Sequence, residues 1–278
     1  MTSESLTILV TGGTSGIGRA IVEHFAANHH RVLFTGRNAS RAHDITSAFP
    51  DGQVTYIPAD FGSFSSVAEA AKQIAALIPR LDVLIHNAGT WEMAFSETRD
   101  GIETNFAVNH LSPMLLTLWL LPVLNTESGR IVITSSGAHR RNILDLEDPE
   151  WRRKPYDGVA TYSQSKLCNL LLVVKLASLL SRTGIAVNAV HPGMVHTELF
   201  RNMGSRDWTG YPDARDGARG AIYAATAPEL AHSSGHYIYR EHDDPNRTPM
   251  AWDPNLADQL WEVSLRYLKA FLPGQMPG

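Results

Sequence analysis

Short apolar runs alternate with longer segments of helical periodicity along most of the chain. The strand-like runs, rich in β-branched residues, cover residues 7–10, 31–35, 54–57, 81–86, 130–134, 185–190 and 236–239. Helical patterns lie between them at 17–28, 40–49, 65–78, 100–121, 160–181 and 213–226, and a last one covers about 255–271. The strand runs are continuously apolar, as in strands covered on both faces. The pattern predicts a single α/β domain over residues 1–278, a doubly wound, seven-stranded parallel sheet with helices on both faces.

Two long segments interrupt this alternation, at about 137–159 and 192–212. Each follows the carboxyl end of a predicted strand, which is where ligands bind in open α/β sheets. Loops of this length in a compact domain are usually functional or disordered. We therefore expect both segments to contact the substrate. The basic residues of the first could attract an acidic substrate, but a solvated loop balanced by its own acidic residues is the simpler interpretation.

Composition excludes several classes of function. A net charge of −4, with arginines scattered along the chain, does not indicate nucleic-acid binding. The single cysteine, Cys168, fits a reducing compartment and, in an apolar helix, core packing. No apolar run is long enough to predict a membrane anchor, and the polar N-terminus does not resemble a signal peptide, so a cytoplasmic protein is expected. The histidines show no metal-ligand spacing, and no metal is predicted.

A tyrosine and a lysine lie four residues apart in the predicted helix 160–181, at Tyr162 and Lys166. On a helix this spacing places both side chains on one face. A free phenol has a pKa of about 10, and a fixed positive charge nearby lowers that pKa. The pair can therefore act as a general acid and base near neutral pH. Taken alone, it is also compatible with a surface tyrosine beside a solvated lysine.

A glycine-rich turn follows the first predicted strand and opens a helix. Glycines let the backbone approach a pyrophosphate closely, and the helix N-terminus supplies N–H groups and a positive dipole. Glycine-rich turns can also be purely structural, but this position between a first strand and a helix favours dinucleotide binding. The predicted contacts are Thr11, Gly12, Thr14, Ser15, Gly16, Ile17 and Gly18.

The end of the second predicted strand indicates the choice of dinucleotide. NAD sites carry an acidic residue there for the ribose 2′-hydroxyl, whereas NADP sites use arginine. This chain has Arg37 at that place, Arg41 adds a second positive charge, and no carboxylate occurs before Asp44. Arg37 can pair bidentately with a 2′-phosphate. We predict NADP(H), with NAD(H) less favoured; the alternative is an exposed loop arginine without a ligand.

The third and fourth predicted strands also end in residues suited to a nucleotide. Asp60 and Phe61 close the third strand, and Asp60 is placed to bond the adenine amino group. Asn87, Ala88 and Gly89 close the fourth, where small residues let the backbone pass near the adenine ribose. Read alone, either could be a simple turn.

Together, these motifs resemble the short-chain dehydrogenase/reductase family, whose fold is a Rossmann-type doubly wound sheet. The resemblance covers nearly the whole chain. It rests on the Thr-Gly-x-x-x-Gly-x-Gly loop at 11–18, Asp60, Asn87-Ala88-Gly89, Asn109, Ser136, Tyr162 with Lys166, and Pro192-Gly193 with Thr197.

The resemblance implies a catalytic tetrad of Asn109, Ser136, Tyr162 and Lys166. Ser135 competes for the role of the serine, and alignment with the family pattern favours the second residue, Ser136. Tyr162 would donate a proton to a carbonyl oxygen. Lys166 would lower the tyrosine pKa and hold the nicotinamide ribose, and Asn109 would anchor a water that leads protons to the lysine.

The resemblance also implies how the nicotinamide is covered. Pro192, Gly193, Val195 and Thr197 would lie over it, with backbone groups and the threonine contacting its carboxamide. Tyr162 and Lys166 would contact the cofactor as well.

Within the family, the retinol-dehydrogenase-like (WW-domain oxidoreductase-like) branch is the more similar. The resemblance is carried by Ser-Ser-Gly-Ala-His at 135–139, an insertion with Leu-Asp-Leu at 144–146, and Trp-Glu-x-Ser at 261–264. It implies reduction of bulky apolar aldehydes or ketones. Apolar residues that follow the Asn-Ala-Gly turn and apolar residues of the segment 192–212 would line the pocket, although core or loop packing explains them too: Trp91 and Met93 after the turn, and Met194, Phe200 and Trp208 in the segment.

These observations predict an NADP(H)-dependent oxidoreductase acting on a carbonyl or alcohol. Two alternatives stay open: a cyclase, dehydratase or epimerase that uses the same cofactor without net redox change, and a binding protein that has lost catalysis. The apolar surface of residues 170–180 allows a homodimer, and a monomer is equally compatible.

Overall fold

The sheet consists of eight strands. They are β1 (Thr7–Val10), β2 (Arg31–Gly36), β3 (Val54–Pro58), β4 (Val83–His86), β5 (Arg130–Thr134), β6 (Ala186–His191), β7 (Tyr237–Tyr239) and β8 (His242–Asp243). The strand order is β3-β2-β1-β4-β5-β6-β7-β8; the first seven pair in parallel, and β8 pairs with β7 antiparallel. The computed structural model describes residues 5–141, 144–199 and 209–274. The predicted doubly wound, seven-stranded parallel sheet is confirmed, with the two-residue β8 added at its edge.

Helices cover both faces of the sheet. They are α1 (Gly16–Ala27), α2 (Ala39–Thr46), α3 (Phe64–Leu77), α4 (Thr104–Phe106), α5 (Ser112–Leu120), α6 (Gly158–Leu179), α7 (Ala214–Thr226) and α8 (Pro254–Leu268). Successive residues of a strand point to opposite faces, so Ile8 and Val10 enter the core beneath α1 and α7, while Leu9 enters the core beneath α3, α5 and α6. This explains why the strands are continuously apolar.

The helix predicted over 100–121 begins four residues later, at Thr104. Glu103 causes this start, because its carboxylate accepts hydrogen bonds from the backbone N–H groups of Asn105 and Phe106, at 2.9 and 2.7 Å. Residues Ala107–Leu111 then form a π-helical turn before α5. The whole segment Thr104–Val123 is long and apolar enough to cross a membrane, but 72% of its most apolar window is buried inside the protein. It is the central helix of one core layer.

Part of the segment between β5 and α6 is packed against the protein. Its arginines Arg140, Arg152 and Arg153 are exposed, and its basic residues are partly balanced by its own acidic residues, as expected from the sequence. The carboxylates of Asp148 and Glu150 are buried. Glu150 accepts a hydrogen bond from the backbone N–H of Glu103 at 3.0 Å and forms an ion pair with Arg152 at 2.8 Å. Lys154 pairs with Asp145 at 3.0 Å. The buried carboxylates therefore anchor the segment to the start of the neighbouring helix.

Helix α6 allows a direct test of core packing. Leu171 is fully buried, whereas Leu179, eight residues later, is 44% exposed. We expect Leu171→Ala to lower the free energy of unfolding by about 2–5 kcal/mol, because the lost side chain leaves a cavity. Leu179→Ala is the matched control, with a change within about 0.5 kcal/mol. Urea denaturation followed by circular dichroism measures both; equal losses would contradict the assignment of the buried face.

Candidate active site

The π-helical turn places Asn109 below the carboxyl end of β4. Its amide donates hydrogen bonds to the Thr90 carbonyl and the Ser165 hydroxyl, both at 2.9 Å, and its oxygen accepts from the Thr90 N–H at 2.8 Å. Asn109 is fully buried. A π-turn inserts one extra residue into a helix and recurs at functional sites. Asn109 is therefore a fixed connection between the turn after β4 and helix α6.

His110, next to Asn109, is a residue whose place the sequence did not predict. Its Nε2 lies 2.8 Å from the Ser264 hydroxyl of α8. Burial lowers the pKa of His110 to about 3, so the ring is neutral at pH 7. Ser264 belongs to the Trp-Glu-x-Ser motif at 261–264, and the sequence alone indicated no role for this serine. The pair holds the π-helical turn against the last helix.

Helix α6 presents Tyr162 and Lys166 on its buried side. Its first turn is capped by Asp157, whose carboxylate accepts from the N–H groups of Val159 and Ala160. Tyr162 and Lys166 are each only 4% exposed. The Lys166 ammonium lies 5.6 Å from the centre of the Tyr162 ring and 3.4 Å from the Thr134 carbonyl. Both side chains thus meet the carboxyl end of β5.

The two serines after β5 have different partners. The Ser135 hydroxyl donates to the backbone carbonyl of Lys166 at 2.7 Å and is buried. The Ser136 hydroxyl forms a hydrogen bond with the Tyr162 side chain and accepts from the Ala138 N–H at 3.2 Å. Ser135 therefore ties β5 to α6, and Ser136 is the serine that reaches the phenol.

Burial dominates the ionisation of this pair. It raises the pKa of Tyr162 to about 12, and the hydrogen bond from Ser136 offsets part of that rise. It also lowers the pKa of Lys166 to about 8. Desolvation disfavours whichever form is charged, so the two shifts have opposite signs. The lowered tyrosine pKa expected from the sequence is not produced by the protein's own residues, because burial raises the pKa of Tyr162 by more than the hydrogen bond from Ser136 lowers it.

The glycine-rich turn between β1 and α1 is shaped by close backbone approaches. A β-carbon on Gly18 would lie 2.2 Å from the Gly12 carbonyl oxygen, and Gly16 has a φ of +53°. Both positions therefore need glycine. Thr11, predicted as a cofactor contact, lies beneath the turn, where its hydroxyl accepts from the N–H groups of Asn87 and Ala88, both at 3.0 Å. It joins the ends of β1 and β4 from below.

A cavity of about 600 Å³ runs from this turn to Tyr162 and Lys166 along the carboxyl ends of the strands. It brings together nearly all predicted site residues. They are Gly12, Thr14, Ser15, Gly16, Ile17, Gly18, Arg37, Asp60, Phe61, Asn87, Ala88, Gly89, Ser136, Tyr162, Lys166, Pro192, Gly193, Val195 and Thr197. The glycine turn at a helix N-terminus, with Arg37 at the same end of the cavity, fits a nicotinamide dinucleotide.

The two arginines near the predicted ribose site differ. Arg37 lines the cavity and is exposed. Arg41 forms an ion pair with Glu198, at 3.0 Å, across the opening between α2 and the segment after β6. The second positive charge expected from the sequence is thus balanced by a carboxylate, which leaves Arg37 as the arginine of the predicted ribose site that lines the cavity.

The predicted substrate residues are placed unevenly. Trp91 lines the cavity with its ring against Tyr162, whereas Met93 and Met194 are 43% and 51% exposed beside residues that line the cavity. Phe200 and Trp208 lie outside the described residues. The cavity wall also contains residues that sequence reasoning missed, among them Glu92, Glu97, Thr98 and Arg99. Their position just after the β4 turn was the signal that could have identified them.

No cluster of three or more histidine, cysteine, aspartate or glutamate side chains that could hold a metal ion occurs within residues 5–141, 144–199 and 209–274. The polar groups beside Tyr162 include the Ser136 hydroxyl and the Lys166 ammonium.

Comparison with known proteins assigns the family. A sequence model described as short chain dehydrogenase matches residues 6–208. The chain belongs to the short-chain dehydrogenase family. Members of this family are oxidoreductases that transfer a hydride with a nicotinamide cofactor.

Individual relatives place this short-chain dehydrogenase in the retinol-dehydrogenase-like branch. It is 32% identical over 283 residues to retinol dehydrogenase 14 of Mus musculus, covering 93% of this chain and 84% of that protein. It is 32% identical over 275 residues to polyprenol dehydrogenase of Homo sapiens, covering 92% and 83%. A crystal structure of an uncharacterized protein from Mycobacterium Paratuberculosis shares 30% identity and a TM-score of 0.81, covering 98% of each chain.

The different partners of the two serines in this short-chain dehydrogenase can be tested directly. Ser136→Ala removes the hydrogen bond to Tyr162, and we expect turnover to fall by about 10²-fold or more while stability stays near wild type. Ser135→Ala removes a bond to the α6 backbone, and we expect a loss of about 1 kcal/mol in unfolding free energy with most of the activity retained. Steady-state kinetics and thermal denaturation of both variants give the comparison; the reverse pattern would assign the catalytic role to Ser135.

Proposed function

We propose that this protein is an NADPH-dependent reductase of bulky apolar ketones or aldehydes, or the corresponding alcohol dehydrogenase. The observation that carries the proposal is the meeting of Ser136, Tyr162 and Lys166 at one end of the cavity whose other end contains the glycine-rich turn and Arg37. A proton donor and a dinucleotide-shaped groove in one continuous space are what carbonyl reduction requires.

The cofactor, when bound, would supply or accept the hydride. The backbone N–H groups at the start of α1 would hold its pyrophosphate. Arg37 would pair with the 2′-phosphate, and Asp60 would bond the adenine amino group. Pro192, Gly193 and Thr197 line the cavity and would cover the nicotinamide.

The proton would come from this chain's own residues. Tyr162 would give its phenolic proton to the carbonyl oxygen, and Ser136 would donate a hydrogen bond to the same oxygen as charge develops on it. The Lys166 ammonium would stabilise the resulting phenolate. Asn109 supports this arrangement because it lies close to Lys166. A β-carbon placed on Gly89 would lie 3.1 Å from the Asn109 amide oxygen and 3.4 Å from the Lys166 ammonium, so both groups border the same glycine.

The surroundings of the cavity support an apolar substrate. Met93, Phe95 and Met194 are among the large hydrophobic side chains exposed at its edge segments. Flexible methionine side chains adapt to irregular apolar surfaces. Two relatives are named for retinol and for polyprenol, both alcohols with long apolar chains. Beyond that class, we propose a cytoplasmic enzyme without nucleic-acid partners, active as a monomer or a homodimer.

A substrate screen tests the proposal: aldehydes, cyclic ketones and isoprenoid carbonyls are offered with NADPH, and their reduction is followed by nicotinamide absorbance.

Tyr162→Phe keeps the ring and removes the acidic hydroxyl, so we expect turnover to fall by at least about 10³-fold while the Kd for NADPH changes little. Substrate conversion without any change in nicotinamide absorbance would favour a cyclase, dehydratase or epimerase. Full activity of the phenylalanine variant would exclude Tyr162 as the acid.

Cofactor preference gives a separate prediction. Arg37→Ala should lower kcat/KM with NADPH by roughly 10- to 100-fold, because a charge-assisted pair with a phosphate is lost. The value with NADH should stay within about twofold, since no 2′-phosphate is present. Arg41→Ala is the matched control, and its pairing with Glu198 predicts a smaller effect. Equal wild-type efficiencies with NADPH and NADH would contradict the role of Arg37.

A further inference from the structure

The Trp91 indole lies flat against the phenol of Tyr162. The two ring centres are 4.2 Å apart and the ring planes differ by 6°. Trp91 is 7% exposed and Tyr162 is 4% exposed, so little water reaches the contact. This is the face-to-face contact of a buried indole with the side chain that would donate the proton.

The indole is held in place from several sides. Its Nε1–H donates to the Gly158 carbonyl at 3.0 Å, in the first turn of the helix that carries Tyr162. The neighbours of Trp91 in the chain are each fixed by an asparagine: the Thr90 N–H bonds Asn109 at 2.8 Å, and the Glu92 N–H bonds Asn105 at 2.9 Å. Trp91 therefore cannot shift without disturbing the segment that contains Asn109.

A flat, fixed neighbour restricts the phenol in two ways. It limits rotation of the Tyr162 side chain, because turning the ring would break an aromatic contact and collide with the indole. It also shields one face of the phenol from water, so that the hydroxyl keeps its bond to Ser136. Correct orientation of an acid contributes to rate because a small misplacement is costly.

The groups around the Tyr162 phenol determine which of its properties the Trp91 indole can affect. Lys166 lies on the same helix, and Tyr237 of β7 is near enough to interact electrostatically with Tyr162. Ser136 contributes a neutral hydroxyl. The Glu92 carboxylate, beside Trp91, accepts from the Thr90 hydroxyl at 2.7 Å. Trp91 is the neutral, apolar member of this set, and its effect on Tyr162 is therefore shielding and orientation.

We propose that Trp91 is a positioning residue for Tyr162, holding the phenol in its reactive orientation and excluding water from one of its faces. This inference rests on the proposed role of Tyr162 as the proton donor. It differs from the expectation that Trp91 forms a substrate wall, because one face of the indole is occupied by the Tyr162 ring.

The test compares Trp91→Leu and Trp91→Phe with Trp119→Phe. The leucine removes the stack and admits water, whereas the phenylalanine keeps an aromatic ring. Trp119 is the matched control: its indole N–H also donates to a backbone carbonyl, that of Phe271 at 2.9 Å, but it lies outside the cavity lining. Kinetics in both directions, pH profiles and near-ultraviolet circular dichroism are measured for each variant.

We expect Trp91→Leu to lower kcat by about tenfold or more with a KM change below about twofold. The alcohol-oxidation profile, which needs the phenolate, should move to lower pH, because burial raises the pKa of the phenol and water would reverse that rise. Trp91→Phe should recover most of kcat and the wild-type profile. A purely structural role would not move the profile.

Three outcomes would overturn the inference. One is a higher KM in Trp91→Leu with kcat and pH profile unchanged, which would make Trp91 a substrate wall. Another is an equal loss in Trp119→Phe, which would indicate general destabilisation. The third is a near-ultraviolet dichroism spectrum that Trp91→Leu leaves unaltered, which would show that the stack does not form in solution. The dichroism tests the contact between Trp91 and Tyr162 without any turnover. Inactivity of the wild type towards all carbonyls would therefore contradict the proposed function and leave the test of the contact intact.

Discussion

The burial of helix α6 is the constraint on which the site depends. This helix passes through one core layer for most of its length, and its first turns carry Tyr162 and Lys166 with it. Burial fixes where the two side chains lie and disfavours the charged form of each, raising the pKa of the phenol and lowering that of the ammonium. Position and proton affinity therefore have the same physical cause.

Polar contacts with β5 make this burial possible. The Thr134 carbonyl accepts from Lys166 and from Asn169, and Ser135 donates to the α6 backbone. A buried polar group without a partner is costly, so these bonds also fix the rotation of the helix about its axis. That rotation directs Tyr162 towards Ser136. Ser135, which bonds the α6 backbone, and Ser136, which bonds the phenol, are adjacent residues that both follow the end of β5.

Hydrogen bonds from polar side chains to backbone groups also fix the other side of the cavity. Asn109 emerges from a helix distorted by a π-turn, and its amide replaces backbone partners for Thr90. Glu103 starts that helix, and its carboxylate is connected to the segment before α6 through Tyr156, at 2.7 Å. The segment before α6 and the helix that contains Asn109 are thus parts of one hydrogen-bonded frame, and Asp148 and Glu150 of this segment are buried.

The amino-acid sequence by itself determined the strand and helix order, the parallel sheet and the glycine-rich turn, because these depend on local periodicity and on residues with special backbone geometry. It also indicated Tyr162, Lys166, Asn109 and Ser136 through spacing and family resemblance. Only the tertiary structure decided what depends on contacts between distant segments. The pairing of Arg41 with Glu198 and the stacking of Trp91 on Tyr162 join residues from different parts of the chain, which no local pattern specifies. The direction of the tyrosine pKa shift belongs with them, since desolvation is set by all the atoms that surround the phenol and not by the lysine one helical turn away.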